Sequence, residues 1–233
     1  MERISTGIPG LDDLTQGGVP KGSTILISGG PGTGKTILCL NYIYQGALNG
    51  EAGIYITLEE GAENISWNME SFGWDIGSLQ EKGLINIHRV RFDAHQNIES
   101  QVEEELKIIA ELVQETGAKR LVVDSTTAFG IWIEGKGMLR HQLFEFTSKL
   151  KELDCTTFLI SETKSERNVF SAMGVEEFVA DGVIALYFTP PHRNIFVRKM
   201  RGTNHSKSVH PFDITERGIV VHSRDEVLWD AIK

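Results

Sequence analysis

Short apolar, β-branched runs alternate with one-faced helical patterns along most of the chain. The runs occupy residues 24–28, 53–58, 84–90, 120–124 and 156–161, each bounded by glycine or polar residues, as buried strands are. Between them, Val102, Leu106, Ile109 and Val113 recur at offsets 0, 4, 7 and 11, and Leu139, Leu143, Phe146, Leu150 and Leu153 at 0, 4, 7, 11 and 14. Each series lines one face of a helix, so each helix needs a sheet to pack against. Strands alternating with such helices predict an α/β fold: a mostly parallel central sheet with helices on both faces. In a sheet of that kind ligands sit beyond the carboxyl ends of the strands, which places Ser28, Glu59, Asp124 and Ser161 together.

After Gly182 the pattern changes to short extended runs at 183–188, 194–200, 210–214 and 218–221. They predict a C-terminal antiparallel extension of the sheet edge, with Pro190-Pro191 making one connection irregular rather than a tight hairpin. Residues 1–22 read as a lead-in and the charged segment 225–233 as a tail, helical or frayed. The 233 residues, 40% hydrophobic and 24% charged, suffice for a single large α/β domain over 1–233, and a second domain would be cramped. No motif recurs as a tandem copy would require. No apolar run is long enough to span a bilayer and the first residues lack a signal-peptide core, so a cytoplasmic setting without membrane is expected. Cys39 and Cys155 stand where small buried hydrophobes belong and are expected as free thiols, without zinc.

The chemistry begins directly after the first run. Gly29, Gly30, Pro31, Gly32, Thr33, Gly34, Lys35 and Thr36 read G-x-x-x-x-G-K-T, and Ile37 continues into a helical pattern. Glycines let consecutive N–H groups fold around an anion while the following helix turns its positive end toward it. Lys35 then reaches the β- and γ-phosphates of a bound nucleotide and Thr36 holds Mg²⁺. Asp124 closes the run Arg120-Leu121-Val122-Val123, where a second oxygen ligand for Mg²⁺ is needed; an N-cap or turn role is the plainer alternative. Glu59 and Glu60 follow the strand at 53–58 and can orient and deprotonate a water in line with the γ-phosphate. Two acids opening a helix would look the same. Of the pair Glu59 is favoured, with no decisive reason against Glu60.

Several ordered motifs resemble the KaiC family of RecA-like ATPases: Ser5-Thr6-Gly7-Ile8-Pro9-Gly10-Leu11-Asp12-Asp13-Leu14, the glycine-rich loop, Leu58-Glu59-Glu60, Ser71-Phe72-Gly73-Trp74-Asp75, Gly174-Val175-Glu176-Glu177-Phe178-Val179 and Lys199-Met200-Arg201-Gly202-Thr203-Asn204-His205. The resemblance implies a RecA-like P-loop core, ATP bound between subunits of a homo-oligomeric ring that is commonly hexameric, and a catalytic pair matching Glu59 and Glu60. It also implies that Lys199, Arg201 and His205 reach the γ-phosphate held by the neighbouring subunit, and that Ser71, Thr203 and Thr215 make weaker nucleotide contacts. Strand alternation puts Lys199 and Arg201 on one face, as a shared phosphate target requires; a solvated basic edge strand is the alternative. The family includes a clock protein in which one domain autophosphorylates an adjacent Ser-Thr pair. The aligned residues here are Glu177 and Phe178, so the chain resembles the hydrolytic domain, and a clock role does not transfer.

The leading expectation is therefore a Mg²⁺-dependent ATP hydrolase of regulatory or signalling type. A recombination or repair ATPase acting on nucleic acid is an alternative, carried by the loops 128–138 and 163–173 with Lys164 and Arg167. It is not favoured, because the net charge is −9 and the first loop reads Ile131-Trp132-Ile133-Glu134, neither of which suits a phosphate-tracking groove. A nucleotide-dependent scaffold with negligible turnover, docking an unidentified protein through Trp132, is the other alternative.

Overall fold

The run beginning at Thr24 is the most deeply buried strand and organises the rest. The computed structural model describes residues 1–93, 95–128, 133, 135–163 and 168–232. Its first half comprises β1 (Arg3–Ile4), α1 (Leu11–Leu14), β2 (Val19–Pro20), β3 (Thr24–Gly29), α2 (Lys35–Leu48), β4 (Gly53–Thr57), α3 (Ala62–Glu70), α4 (Ile76–Glu81) and β5 (Ile85–Arg89). Then come α5 (Ile98–Thr116), β6 (Arg120–Asp124), α6 (Lys136–Glu152), β7 (Thr156–Glu162), α7 (Glu176–Val179), β8 (Gly182–Thr189), β9 (His192–Met200), β10 (Val209–Thr215) and β11 (Gly218–Val221).

Nine strands form one sheet in the order β11-β10-β9-β8-β3-β7-β6-β4-β5, and β1 with β2 makes a separate ribbon. The segment from β8 to β5 is parallel throughout, as the helix-strand alternation predicts. Alternate residues of β3 serve the two faces: Ile25 and Ile27 belong to the apolar layer that also takes Leu38 and Tyr42 from α2, Ile65 from α3 and Ile76 from α4. Leu26 joins the other layer, where α5 contributes Val102, Leu106, Ile109 and Val113 and α6 contributes Leu139, Leu143, Phe146 and Leu150. Those are the residues of the two periodic series; Leu153 packs at the margin. Asn97 caps α5 by accepting from the Ser100 amide, and Gly117 ends it in the left-handed conformation, the usual stop signal.

Two details of the C-terminal part differ from the sequence reading. β8 is parallel to β3, and only β9, β10 and β11 are antiparallel additions. The irregular connection is in fact a two-residue turn: Thr189 pairs with His192, with the cis Pro190–Pro191 peptide between them. The prolines lie outside the ladder, so their missing N–H groups cost it nothing. The tail folds back rather than fraying. Val227 bridges to Val209, and Trp229 packs edge-on to Tyr187 over a fully buried Ile232. Cys39 and Cys155 are buried thiols, and among the described residues no helix is long and apolar enough to cross a membrane. Ile131, Trp132, Glu134, Lys164 and Arg167 lie outside the described residues.

Arg120, only 2% exposed, ties the lead-in to the sheet. From the start of β6 its guanidinium donates to Glu51 at 2.6 Å and to the carbonyls of Tyr42 and Ser5 at 2.8 and 2.9 Å, and it lies 4.6 Å above the Tyr42 ring. That ring stacks in turn on Phe158. Room for the guanidinium comes from Gly46 in α2, where a Cβ would fall 2.3 Å from the Arg120 Nε. Gly46→Ala is therefore expected to lower stability by about 1–3 kcal/mol through overpacking, although helix propensity alone favours alanine by about 1 kcal/mol. Chemical denaturation reads the sign directly, and a stabilised variant would mean Arg120 is free to move.

Candidate nucleotide-binding site

The phosphate loop leaves β3 where that strand is wedged between β7 and β8. A Cβ at Gly29 would stand 2.6 Å from the Leu186 carbonyl oxygen and 2.7 Å from the Thr33 hydroxyl, so only glycine starts the loop this close to β8. Gly32 and Gly34 have φ of 74° and 99°, values that favour glycine. Pro31 is exposed at the apex, while Thr33 donates its hydroxyl to the Gly30 carbonyl at 2.8 Å. Lys35, 7% exposed, donates to that carbonyl at 3.0 Å and stands 3.7 Å from the Glu162 carboxylate at the end of β7. The Ile37 side chain packs toward the core under α2, leaving its backbone to the first helical turn.

The neighbouring strand ends supply the oxygens. Thr36 donates its hydroxyl to Asp124 Oδ2 at 3.1 Å, and the Tyr55 hydroxyl donates to the same atom. Burial pushes the Asp124 carboxyl up to about 6, against the Tyr55 and Thr36 hydrogen bonds that pull it down. Among the described residues no three His, Cys, Asp or Glu side chains converge on a metal position. A cation beside Thr36 and Asp124 would take its remaining ligands from phosphate and water, which suits Mg²⁺.

Glu59 and Glu60 separate at this point. Thr57 is in register with Asp124, and just beyond, the Ser125 hydroxyl donates to Glu59 Oε1 at 2.8 Å. Glu60 instead has its amide and carbonyl tied to the Thr57 hydroxyl, with its carboxylate 3.5 Å from Asn68 on α3. Glu59 is the acid held beside the phosphate loop.

On the other side of α2, Tyr44, Gln45, Ser71, Phe72, Gly73, Trp74, Glu216 and Arg217 line a cleft of about 720 Å³, a ligand-sized volume. Ser71 donates to Asn68 O, and Thr215 closes the β10–β11 turn by donating to Gly218 O. Ile214, two residues before Glu216 of this cleft, approaches Gly34 of the loop closely.

The four remaining predicted residues lie at the opposite end of the sheet. Lys199 is in register with Val183, near Gly182, which pairs with Ile25, whereas Gly29 pairs with Leu186. At about 3.3 Å per residue that puts Lys199 roughly 10–15 Å along the sheet from its own phosphate loop. Strand β9 stops at Met200, so Arg201 begins a turn and does not share a strand face with Lys199 as alternation predicts. The two cations still gather on one segment, Lys199 on the Glu177 and Ala180 carbonyls and Arg201 on Asp181. Thr203 accepts from Arg3, and the His205 Nδ1 lies 2.7 Å from the Ser206 carbonyl oxygen.

A family model described as the KaiC ATPase matches residues 4–226. The chain belongs to the KaiC ATPase family. Among its relatives, the UPF0273 protein of Thermotoga maritima is 37% identical, with 95% of this chain and 96% of that one covered. The circadian clock oscillator protein KaiC of Parathermosynechococcus lividus is also 37% identical over 92% of this chain, which spans 41% of that longer protein. The crystal structure of the KaiC-like protein PH0186 from Pyrococcus horikoshii superposes with a TM-score of 0.84 at 38% identity, covering 95% and 99% of the two chains.

This KaiC-family site also holds residues the sequence reading passed over. Glu162 follows directly on the 156–161 run, and the reasoning that singled out Asp124 would have found it. Ser125 directly follows Asp124, and Tyr55 lies within the 53–58 run that leads to Glu59. Arg193 carries no such signal: it reaches the loop from the β8–β9 turn, donating to the Gly32 carbonyl at 3.2 Å with its guanidinium 4.4 Å over Phe188.

The Asp124 shift has a consequence for stability. The folded protein holds this proton up to about pH 6 and the unfolded chain only to 3.8. Between those values the folded state binds more protons, so stability falls as pH rises through the window. Asp124→Asn is expected to stabilise the nucleotide-free protein by on the order of 2 kcal/mol near neutral pH, with the gain fading below about pH 4. Melting temperatures of both proteins across that range decide it; no gain at neutral pH would show that the carboxylate is well accommodated.

Proposed function

We propose that this chain is a single-domain, Mg²⁺-dependent ATP hydrolase that works as a ring-forming homo-oligomer, with a regulatory or signalling role. The observation that carries this reading is the placement of its two sets of groups. Lys35, Thr36, Asp124 and Glu59 collect at the carboxyl edge of the parallel strands, while Lys199 and Arg201 stand at the other end of the sheet. A closed ring of subunits brings the second set of one copy to the first set of the next. A commonly hexameric ring follows from the family resemblance.

Bound Mg–ATP supplies an electrophilic γ-phosphorus whose equatorial oxygens gain charge as the bond to the leaving group loosens. Lys35 exchanges the Gly30 carbonyl for the β- and γ-phosphate oxygens, and the loop amides line the rest of the anion. Thr36 and Asp124 would hold the Mg²⁺ that accompanies the bound phosphates, where it would offset their charge. Glu59 receives the proton of the attacking water at its carboxylate once it turns from Ser125. The neighbour's Lys199 and Arg201, with His205 beside them, balance the developing charge. Ser71, Thr203 and Thr215 serve the nucleotide more weakly, the cleft walled by Trp74 and Tyr44 suiting a planar base.

Phosphate release and nucleotide binding, measured side by side, test the assignment. Lys35→Ala is expected to lose ATP binding. Glu59→Gln keeps binding and loses turnover by about 10²–10⁴, with Glu60→Gln much milder. Arg201→Ala keeps binding and loses about 10³ or more in rate. Turnover at the parent rate in Glu59→Gln, Glu60→Gln and the double variant would remove the proposed base. Turnover at the parent rate in Arg201→Ala would remove the action in trans.

A further inference from the structure

Glu176 is 1% exposed and opens the short helix α7. Its Oε1 accepts from the Ser161 hydroxyl at 2.9 Å and its Oε2 from the Val175 amide at 3.1 Å. Ser161 Oγ accepts in turn from the Ala172 amide. A buried carboxyl is costly unless its acceptor atoms are matched, and here the matching donors fasten the segment before α7 to the last residues of β7. The next residue of β7 is Glu162, the acid beside the phosphate-binding Lys35.

The other end of the same segment carries the cations. Lys199 Nζ donates to the Glu177 and Ala180 carbonyls at 3.0 and 2.6 Å, and Arg201 meets Asp181 at 3.1 Å. Residues 176–181 are thus pinned at one end beside one nucleotide site, and at the other they set where Lys199 and Arg201 stand.

The geometry points to Glu176 as a positioning residue that couples one subunit's phosphate loop to the cations it presents to the next subunit. This rests on the proposed ring ATPase with Lys199 and Arg201 acting in trans. When Lys35 turns to phosphate, the Glu162 end of β7 loses a cationic neighbour and readjusts. Ser161 passes the displacement to Glu176, and the carbonyls just beyond Glu176 are the acceptors that hold Lys199. The path is short: the Lys35–Glu162 ion pair at its exposed start, the buried Ser161–Glu176 hydrogen bond, and the Lys199 hydrogen bonds at its end; its output lies in the neighbouring site rather than its own.

That direction makes the role separable from a structural one. Glu176→Gln keeps the shape but replaces an acceptor by an amide N–H₂ that cannot satisfy both donors; Ser161→Ala removes the contact from the other side. Both are expected to bind ATP within about twofold of the parent while kcat falls about tenfold or more, a typical coupling strength. Mixed rings, assembled from two differently tagged chains and purified through both tags, locate the deficit. Lys35→Ala subunits lack a working site, but with no lysine beside Glu162 they set their cations as a phosphate-bound subunit does, so they restore turnover to Glu176→Gln. Arg201→Ala subunits have an intact site but lack the arginine, so they do not. Recovery with Arg201→Ala, failure to recover with Lys35→Ala, or parent turnover in both single variants would overturn the inference. If Glu176→Gln fails to fold, Ser161→Ala undergoes the same mixing and is read by the same outcomes. The pairing of Lys35→Ala with Arg201→Ala is the control: its failure refutes action in trans itself, whereas its success with failure of the Glu176 pairing refutes only the coupling.

Discussion

The parallel alignment of six strands is the constraint on which the rest depends. β3 is buried along its whole length between β7 and β8, and its register fixes which residues emerge together at the carboxyl edge. Glu162 and Gly29 are register partners, as are Thr57 and Asp124. A one-residue slip would turn each of these side chains to the wrong face of the sheet. The loop glycines, Lys35, Thr36, Asp124 and Glu59 are one site because these strands cannot slide, and they cannot slide because Ile25 and Ile27 belong to one apolar layer and Leu26 to the other.

The same packing makes the site costly to keep. Asp124 is an acid whose burial works against its ionised form, held by two hydroxyls rather than by a cation at close range. A hydrophobic or amide side chain would suit this pocket better, but neither carries the carboxylate charge that the proposed Mg²⁺ site calls for. Stability surrendered at a functional residue is a common compromise. Arg120 provides support from the opposite end of the same strand, tying β6, α2 and the lead-in together through a cation that is fully hydrogen-bonded.

Periodicity and motif spacing made the parallel core legible: the five runs became β3, β4, β5, β6 and β7, and the two apolar series are the buried faces of α5 and α6. Local patterning carried less information toward the C-terminus. Nothing in 183–188 says that β8 runs parallel to β3, because strand direction is settled by the crossover through α7 and not by alternation. The two prolines looked like an interruption and are the turn itself. Within the site, the phosphate loop and Asp124 were readable from residue order, since backbone conformation and strand position determine them. The difference between Glu59 and Glu60 was not, because it depends on Ser125, which lies just past the end of another strand. Arg193 was out of reach for the same reason.

The antiparallel direction of β9 separates the two sets of groups within one chain. A strand running back toward the amino edge carries its last residues away from the phosphate loop, so Lys199 and Arg201 cannot serve the site in their own chain. They are held instead around Asp181, and the manner of holding differs between them. Burial alone would raise the Asp181 carboxyl, but the Lys151 hydrogen bond, the Thr24 amide and the charges of Lys151 and Arg201 outweigh it and keep it below its ordinary value. Lys151 is the closer partner at 2.8 Å, whereas Arg201 is 61% exposed at 3.1 Å. In the proposed ring, drawing Arg201 away to a neighbouring phosphate would leave Asp181 still paired, avoiding the large penalty of an orphaned buried charge. An exposed pair of this kind contributes little to stability, which suits the proposed role of an arginine that leaves for a neighbouring site.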